Sequence, residues 1–145
     1  MRDLIKMLDA NLVYHDHQVY SDHIDIFVHS NREFVSCPLC GQSSSRIHSH
    51  YPRSFNDLPI QGKEVHIHLL NRKYFCLNPE CLRQIFAESF DFLQPNSKQT
   101  NRLNDKIMKI SLETSSVTAS RLLKDEGVDI SKSAICNRLK KEKLS

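Results

Sequence analysis

The sequence predicts an α+β fold in two unequal parts, a small β-rich ribbon followed by a three-helix bundle. Three observations carry this. Four of the five cysteines stand in two close pairs, Cys37/Cys40 and Cys76/Cys81. Between residues 22 and 88 apolar side chains tend to alternate with polar ones. Beyond residue 97 they recur every three to four positions. A chain of 145 residues makes one domain or two small ones and can bury a core. Gly41, Gly62 and Gly127 are its only glycines, too far apart for a dinucleotide fingerprint or a phosphate loop.

The elements follow in order. Residues 3–12 read as a short amphipathic helix with Leu4, Ile5, Leu8 and Leu12 on one side. From Asp22 the period changes, and Ile24, Ile26 and Val28 mark a strand. The polar run after Gly41 reads as a turn, and Ile47 to Phe55 as extended chain. Val65, Ile67 and Leu69 mark another strand, which Asn71-Arg72 is expected to end in a turn leading into Lys73 to Cys76. Ile85 to Glu88 is a last short strand, and Pro95 marks a boundary. Leu103, Ile107, Met108 and Ile110 suit a helix of three to four turns. Thr114-Ser115-Ser116 stops it and caps a second, from about Val117 to Glu126, ending at Gly127. Val128 and Ile130 turn inward, and Ser131 or Ser133 caps a third helix carrying Ile135 and Leu139.

The net charge of +3 conceals a gradient: −3 over residues 1–36, +1 over 37–92 and +5 over 93–145. The expected division is a helix-and-strand lead-in (1–36), a Cys/His-rich ribbon domain (37–92) and a helical domain (93–145). A basic tail suits a polyanionic partner or, more simply, a solvated helix surface. The scattered Asp and Glu read as solvated strand and helix faces. No stretch approaches the ~20 apolar residues of a membrane span. Arg2, Asp3, Lys6 and Asp9 break what would be the apolar core of a signal peptide, so a cytoplasmic protein with reduced thiols and no membrane partner is expected.

Cys37-Pro38-Leu39-Cys40-Gly41 is a metal knuckle, two thiolates across a tight turn. Cys76 and Cys81 form the second pair, with strand patterns in between. Four sulfur ligands with no open position make a structural Zn(2+) site on Cys37, Cys40, Cys76 and Cys81. Four-cysteine ligation also suits an iron–sulfur cluster, and buried or redox-active thiols are the plain alternative. His48 and His50 can replace a ligand but fit a strand face better. His66 and His68 share one side of a strand, where they can touch phosphate, form a second metal site, or simply be surface histidines. Cys136 reads as a small buried residue, or less simply as a reactive thiol.

The helices after residue 97 describe either a helix-turn-helix unit or a structural bundle. In the former, the last helix brings Ser131, Lys132, Ser133, Asn137 and Arg138 to base edges. Lys140, Lys141 and Lys143, with Lys98, Arg102, Lys106 and Arg121, neutralise phosphates. The fold is then a zinc ribbon followed by a three-helix helix-turn-helix bundle.

Cys-Pro-Leu-Cys-Gly at 37–41, the run from His48 through Asp57-Leu58-Pro59 to Val65, Arg-Lys-Tyr-Phe-Cys-Leu-Asn-Pro-Glu-Cys at 72–81 and Ile-Phe-Ala-Glu at 85–88 follow one another in order. Together they resemble the N-terminal zinc-binding region of ISL-three-type bacterial insertion-sequence transposases, over about residues 10–92. Residues 116–141 resemble the helix-turn-helix that follows in that family. The resemblance implies cut-and-paste DNA transposition, with these modules recognising the terminal inverted repeats of double-stranded DNA. It also implies a homo-oligomer or a full-length transposase as partner. Chemistry in the family belongs to a later domain whose carboxylates hold two metal ions. The chain stops at Ser145, so it is expected to be truncated before that domain, with no catalytic residue and no enzyme activity of its own. The competing expectation is a zinc-ribbon protein-interaction or regulatory module without specific DNA binding.

Overall fold

The computed structural model describes residues 1–144, with side chains through Lys141. The element order is α1 (Arg2–Leu8), β1 (Leu12–Val19), β2 (His23–Ser30), β3 (Val35–Ser36), β4 (Ser43–Ser44), β5 (Ile47–Ile60), β6 (Lys63–Phe75), β7 (Ile85–Ala87), α2 (Asn101–Glu113), α3 (Ser116–Asp125) and α4 (Lys132–Leu144). The result is an α+β fold with a β-rich sheet and four helices. No described helix is long and apolar enough to cross a membrane.

The main sheet runs β1-β2-β6-β5, with β7 also on β6. β5 and β6 form a long antiparallel hairpin, whereas β2 and β6 are parallel. The alternation read in β2 and β6 is real: Ile24, Ile26, Val28, Val65, Ile67 and Leu69 all point to one buried face. Phe55, Phe90, Phe92 and Leu93 complete that core, with Ile5 of α1 and Leu12 of β1.

Four local expectations are corrected. The first helix ends at Leu8, where Asp9 turns extended and its carboxylate accepts from the Asn11 backbone at 2.8 Å. Leu12 therefore opens a strand, one that its irregular polarity hid from sequence reading. The serines after Gly41 form β4 rather than a turn, because the knuckle brings them back onto Val35–Ser36 and Ser44 Oγ donates to the Phe75 carbonyl (2.6 Å). Asn71-Arg72 is not a turn, since β6 runs straight through it. Asn71 is buried and its Nδ2 donates to Tyr51 Oη (2.7 Å). Arg72 Nε donates to Glu88 Oε1 (3.1 Å). Lastly, two of the acids read as solvated, Glu88 and Asp57, are buried.

Glu88 fills the gap where β2 leaves the edge of β6 and β7 takes its place. Its carboxylate accepts from Ser30 Oγ (2.6 Å) as well as Arg72, and lies 3.5 Å from Arg32 Nη1. Arg32 in turn lies 3.6 Å from Asp9. Two cations thus meet two anions, so the buried charges are balanced.

The helices have a core of their own, Leu103, Ile107, Ala119, Leu123, Val128, Ile130 and Ile135. Their starts are set by side-chain caps. Thr100 accepts from the Leu103 backbone, Ser115 from Thr118 and Ser131 from Ala134. This helical unit sits on the β5–β6 hairpin. Leu58 packs into its core. Asp57 accepts from Thr100 Oγ1 (2.8 Å) and takes both Nε and Nη2 of Arg102. Asn56 exchanges backbone hydrogen bonds with Lys98 (2.8 Å) and Thr100 (2.9 Å). At the hairpin tip, Gly62 meets Gly127 of the α3–α4 turn backbone to backbone.

That last contact is testable. Gly127 has φ +95°, and a Cβ there would stand 2.7 Å from the Gly62 carbonyl oxygen. Gly41 has φ +78° with open space around it. Gly127→Ala is expected to lower the unfolding free energy by about 2 kcal/mol or more, from left-handed strain plus the clash. Gly41→Ala should cost about 1 kcal/mol, from strain alone. Urea denaturation of the zinc-loaded chain compares the two.

Candidate functional site

The metal centre is built from two loops. The first hangs from the β3–β4 pair: Gly41 N–H donates to the Cys37 carbonyl (2.8 Å), and Cys37 N–H to the Gln42 carbonyl (3.0 Å). The left-handed backbone at Gly41 closes this turn. The second joins β6 to β7. Cys76 N–H donates to the Gln84 carbonyl (2.8 Å), and Cys81 N–H to the Asn78 carbonyl (3.1 Å). Asn78 also accepts from the Glu80 backbone at 3.0 Å. The loops are held together by Tyr74, Phe86, Val35 and Cys37, which form a small core of their own.

This framework gathers four sulfurs, all within 4.8 Å of one another. Cys37 Sγ is 3.9 Å from Cys81 Sγ, and Cys40 Sγ 3.6 Å from Cys76 Sγ. A disulfide needs about 2.05 Å. Four thiolates each about 2.3 Å from one tetrahedral zinc stand about 3.8 Å apart. The spacing fits the ion, and four sulfurs leave no open position for substrate.

The electrostatics suit that use. The Gln42 backbone favours the Cys40 thiolate and brings its pKa down to about 7. The backbone of Cys40 and Leu39 lowers Cys37. The Asn78 backbone acts in the same sense on Cys76, but burial and the Cys40 and Cys37 sulfurs outweigh it and push Cys76 up to about 12. Cys81 is raised as well: the Arg83 backbone works against this, while burial and Cys40 prevail. Without a cation, four sulfurs this close do not all ionise.

His48 and His50 stay outside this cluster. His48 bonds Ser49 Oγ (2.8 Å) and meets the Phe75 ring edge-on, and His50 is exposed. Cys136 is partly buried and contacts Ser116 Oγ at 3.3 Å.

The DNA contacts expected from the helical unit divide into two groups. Arg121, Ser131, Lys132, Ser133, Asn137, Lys140 and Lys141 are exposed. Arg102, Lys106 and Arg138 are half-buried and paired with side chains of the same chain. Arg102 is held by Asp57, which stabilises its charge. Lys106 pairs with Glu126 at 2.7 Å. Arg138 donates to Gln99 Oε1, while its Nε is buried without a partner. These three therefore position the helices instead of offering free charges. The side chain of Lys143 lies outside the described residues. Sequence reading missed Asp57 and Gln99 as their partners. The only signal for Asp57 was its place in the Asp57-Leu58-Pro59 motif.

Two outcomes follow from this centre. The purified chain should carry zinc at its cysteine site, and chelation or Cys76→Ser should lower its melting temperature while helical circular dichroism persists below the melt. Zinc binding at pH 7 should release at least two protons per ion, those of Cys76 and Cys81. The zinc-bound fold holds fewer protons than the free thiols, so the metal's stabilisation grows with pH and is lost in acid. Titration calorimetry in buffers of different ionisation enthalpy counts the protons, and a count below two would contradict this assignment.

Residues 33–81 match the family described as the zinc-finger of transposase IS204/IS1001/IS1096/IS1165. No curated protein and no solved structure matches the chain. The matched stretch contains all four cysteines and agrees with the resemblance read from their motifs. Residues 33–81 are thus similar to the zinc-finger of the IS204/IS1001/IS1096/IS1165 transposases, and the cluster of Cys37, Cys40, Cys76 and Cys81 fits a structural zinc.

Proposed function

We propose that this chain is a DNA-binding N-terminal portion of an insertion-sequence transposase, recognising the element's terminal inverted repeats. The observation that carries the reading is a stretch similar to a transposase zinc ribbon joined to a helical unit whose α4 exposes Lys132, Ser133, Asn137, Lys140 and Lys141. In this reading α3 and α4 form a helix-turn-helix around Gly127. Ser131, Lys132, Ser133 and Asn137 lie at the N-terminal part of α4, the part that meets base edges in such motifs. Asn137 reads adenine, while Lys140, Lys141, Lys132 and Arg121 neutralise phosphates. Arg102 and Arg138 contribute by orienting the helices on the hairpin. The zinc ribbon keeps the far end of that hairpin folded.

A second reading, a protein-interaction module, draws on the knuckle loops. Leu39, Leu77 and Leu82 are 61%, 45% and 94% exposed there, a cost in water that a protein partner would remove.

DNA titration tests the first reading. A duplex carrying a terminal repeat should bind more tightly than a scrambled duplex of equal length. With about four phosphate contacts, log affinity should fall with log salt at a slope of about −3 to −4. Asn137→Ala should reduce discrimination about 5- to 150-fold. Lys140→Ala should weaken both duplexes alike. Equal affinity for the two duplexes, unchanged by Asn137→Ala, would favour the protein-interaction reading.

A further inference from the structure

The sheet carries a second cluster of metal-binding side chains, far along the hairpin from the cysteines. β2 and β6 are parallel, and Asp25 stands opposite His66. Because Ile24, Ile26, Val65 and Ile67 occupy the core face, the residues between them share the other one. His23 and Asp25 come from β2, and Glu64, His66 and His68 from β6.

One ligand atom from each of His23, Asp25 and His66 lies within 4.8 Å of the others. His23 Nε2 is 3.5 Å from Asp25 Oδ2, and His66 Nδ1 is 3.6 Å from Asp25 Oδ1. These distances are long for hydrogen bonds, which run at about 2.7–3.2 Å. Each is close to the separation of about 3.4 Å between two ligands that stand about 2.1 Å from a tetrahedral ion, with a different Asp25 oxygen facing each ring.

The opposite nitrogen of each ring supplies an independent indication. His23 Nδ1 is bonded to the Asp22 carboxylate at 2.7 Å, and His66 Nε2 to Glu64 at 3.1 Å. A proton held on the far nitrogen by each carboxylate would leave the near nitrogen, the one beside Asp25, free to ligate. Histidines that ligate metals are commonly oriented in this way by an outer carboxylate. Asp25 is itself fixed by His68 Nε2 at 2.9 Å.

We propose that His23, Asp25 and His66 form a second divalent-metal site of the zinc class, with water in the fourth position. Imidazole and carboxylate donors suit such an ion. Each strand supplies a ligand, so the ion ties β2 to β6, the one parallel pair in the sheet. The proposal is independent of whether the chain binds DNA.

Calorimetric titration of the chain, its cysteine site already filled, with Zn2+ alone tests this. One further equivalent is expected. Zinc-edge X-ray absorption at two equivalents should then show nitrogen and oxygen neighbours beside sulfur, averaging about two sulfurs per zinc. Asp25→Asn and His66→Gln should weaken the second equivalent at least tenfold while the first is retained. Glu64→Gln should weaken it about 10-fold, through orientation alone. His50→Ala, on the same face but outside the cluster, should leave it unchanged. No uptake beyond the cysteine site, with an all-sulfur shell, would overturn the proposal. So would a second equivalent indifferent to both ligand substitutions. The absorption measurement uses the unaltered chain, so it stands even if a variant misfolds.

Discussion

The structure depends on keeping one strand unbroken through two polar residues. β6 spans 13 residues and bonds to β2, β5 and β7, and Cys76 follows it directly. Asn71 and Arg72 lie inside that span, where a turn would separate the sheet from the metal centre. Glu88 stands beside both: its carbonyl accepts from Asn71 Nδ2 (3.4 Å) and its carboxylate from Arg72. Its carboxylate satisfies Arg72, and Arg32 and Asp9 balance the remaining charge. Removing one partner from such a buried set usually costs about 3–5 kcal/mol, because the others are left uncompensated. The strand's continuity therefore rests on electrostatic pairing as much as on its aliphatic face.

Two kinds of stabilisation act at the two ends of the hairpin. At the ribbon end only four buried residues make up the core, and the zinc supplies what apolar burial cannot. At the other end the helices bury a full apolar cluster and need no metal. Asp57 joins them to the sheet: it takes Thr100, whose own side chain caps α2, and Arg102 in the first turn of that helix. A single carboxylate thus helps define where a helix starts and what it packs against.

Much of this was legible in the sequence. Period-two alternation located β2 and β6, and the cysteine spacing identified the metal ligands because thiolate pairs at that spacing have few other uses. Helix limits came from Ser115, Ser131 and Gly127, residues whose local chemistry acts without tertiary help. What stayed hidden was non-local. Asn71-Arg72 looks like a turn until Glu88, sixteen residues on, is known to sit beside it. Arg102 and Arg138 look like free cations until Asp57 and Gln99 are brought to them by the fold. β1 lacks a clean alternation because a bulge between Tyr14 and Asp16 shifts its register.

The contact of Gly62 with Gly127 makes the β5–β6 hairpin a spacer between the metal end and the helical end of the molecule. A strand of 13 residues covers about 43 Å, and that length sets how far apart the two ends stand. Lengthening both strands by two residues would move the ends apart by about 7 Å and leave every side chain on its own face. Lengthening both by one would turn the inserted strands over, placing aliphatic side chains in water and histidines in the core. The reach of the molecule can therefore change only in steps of two residues.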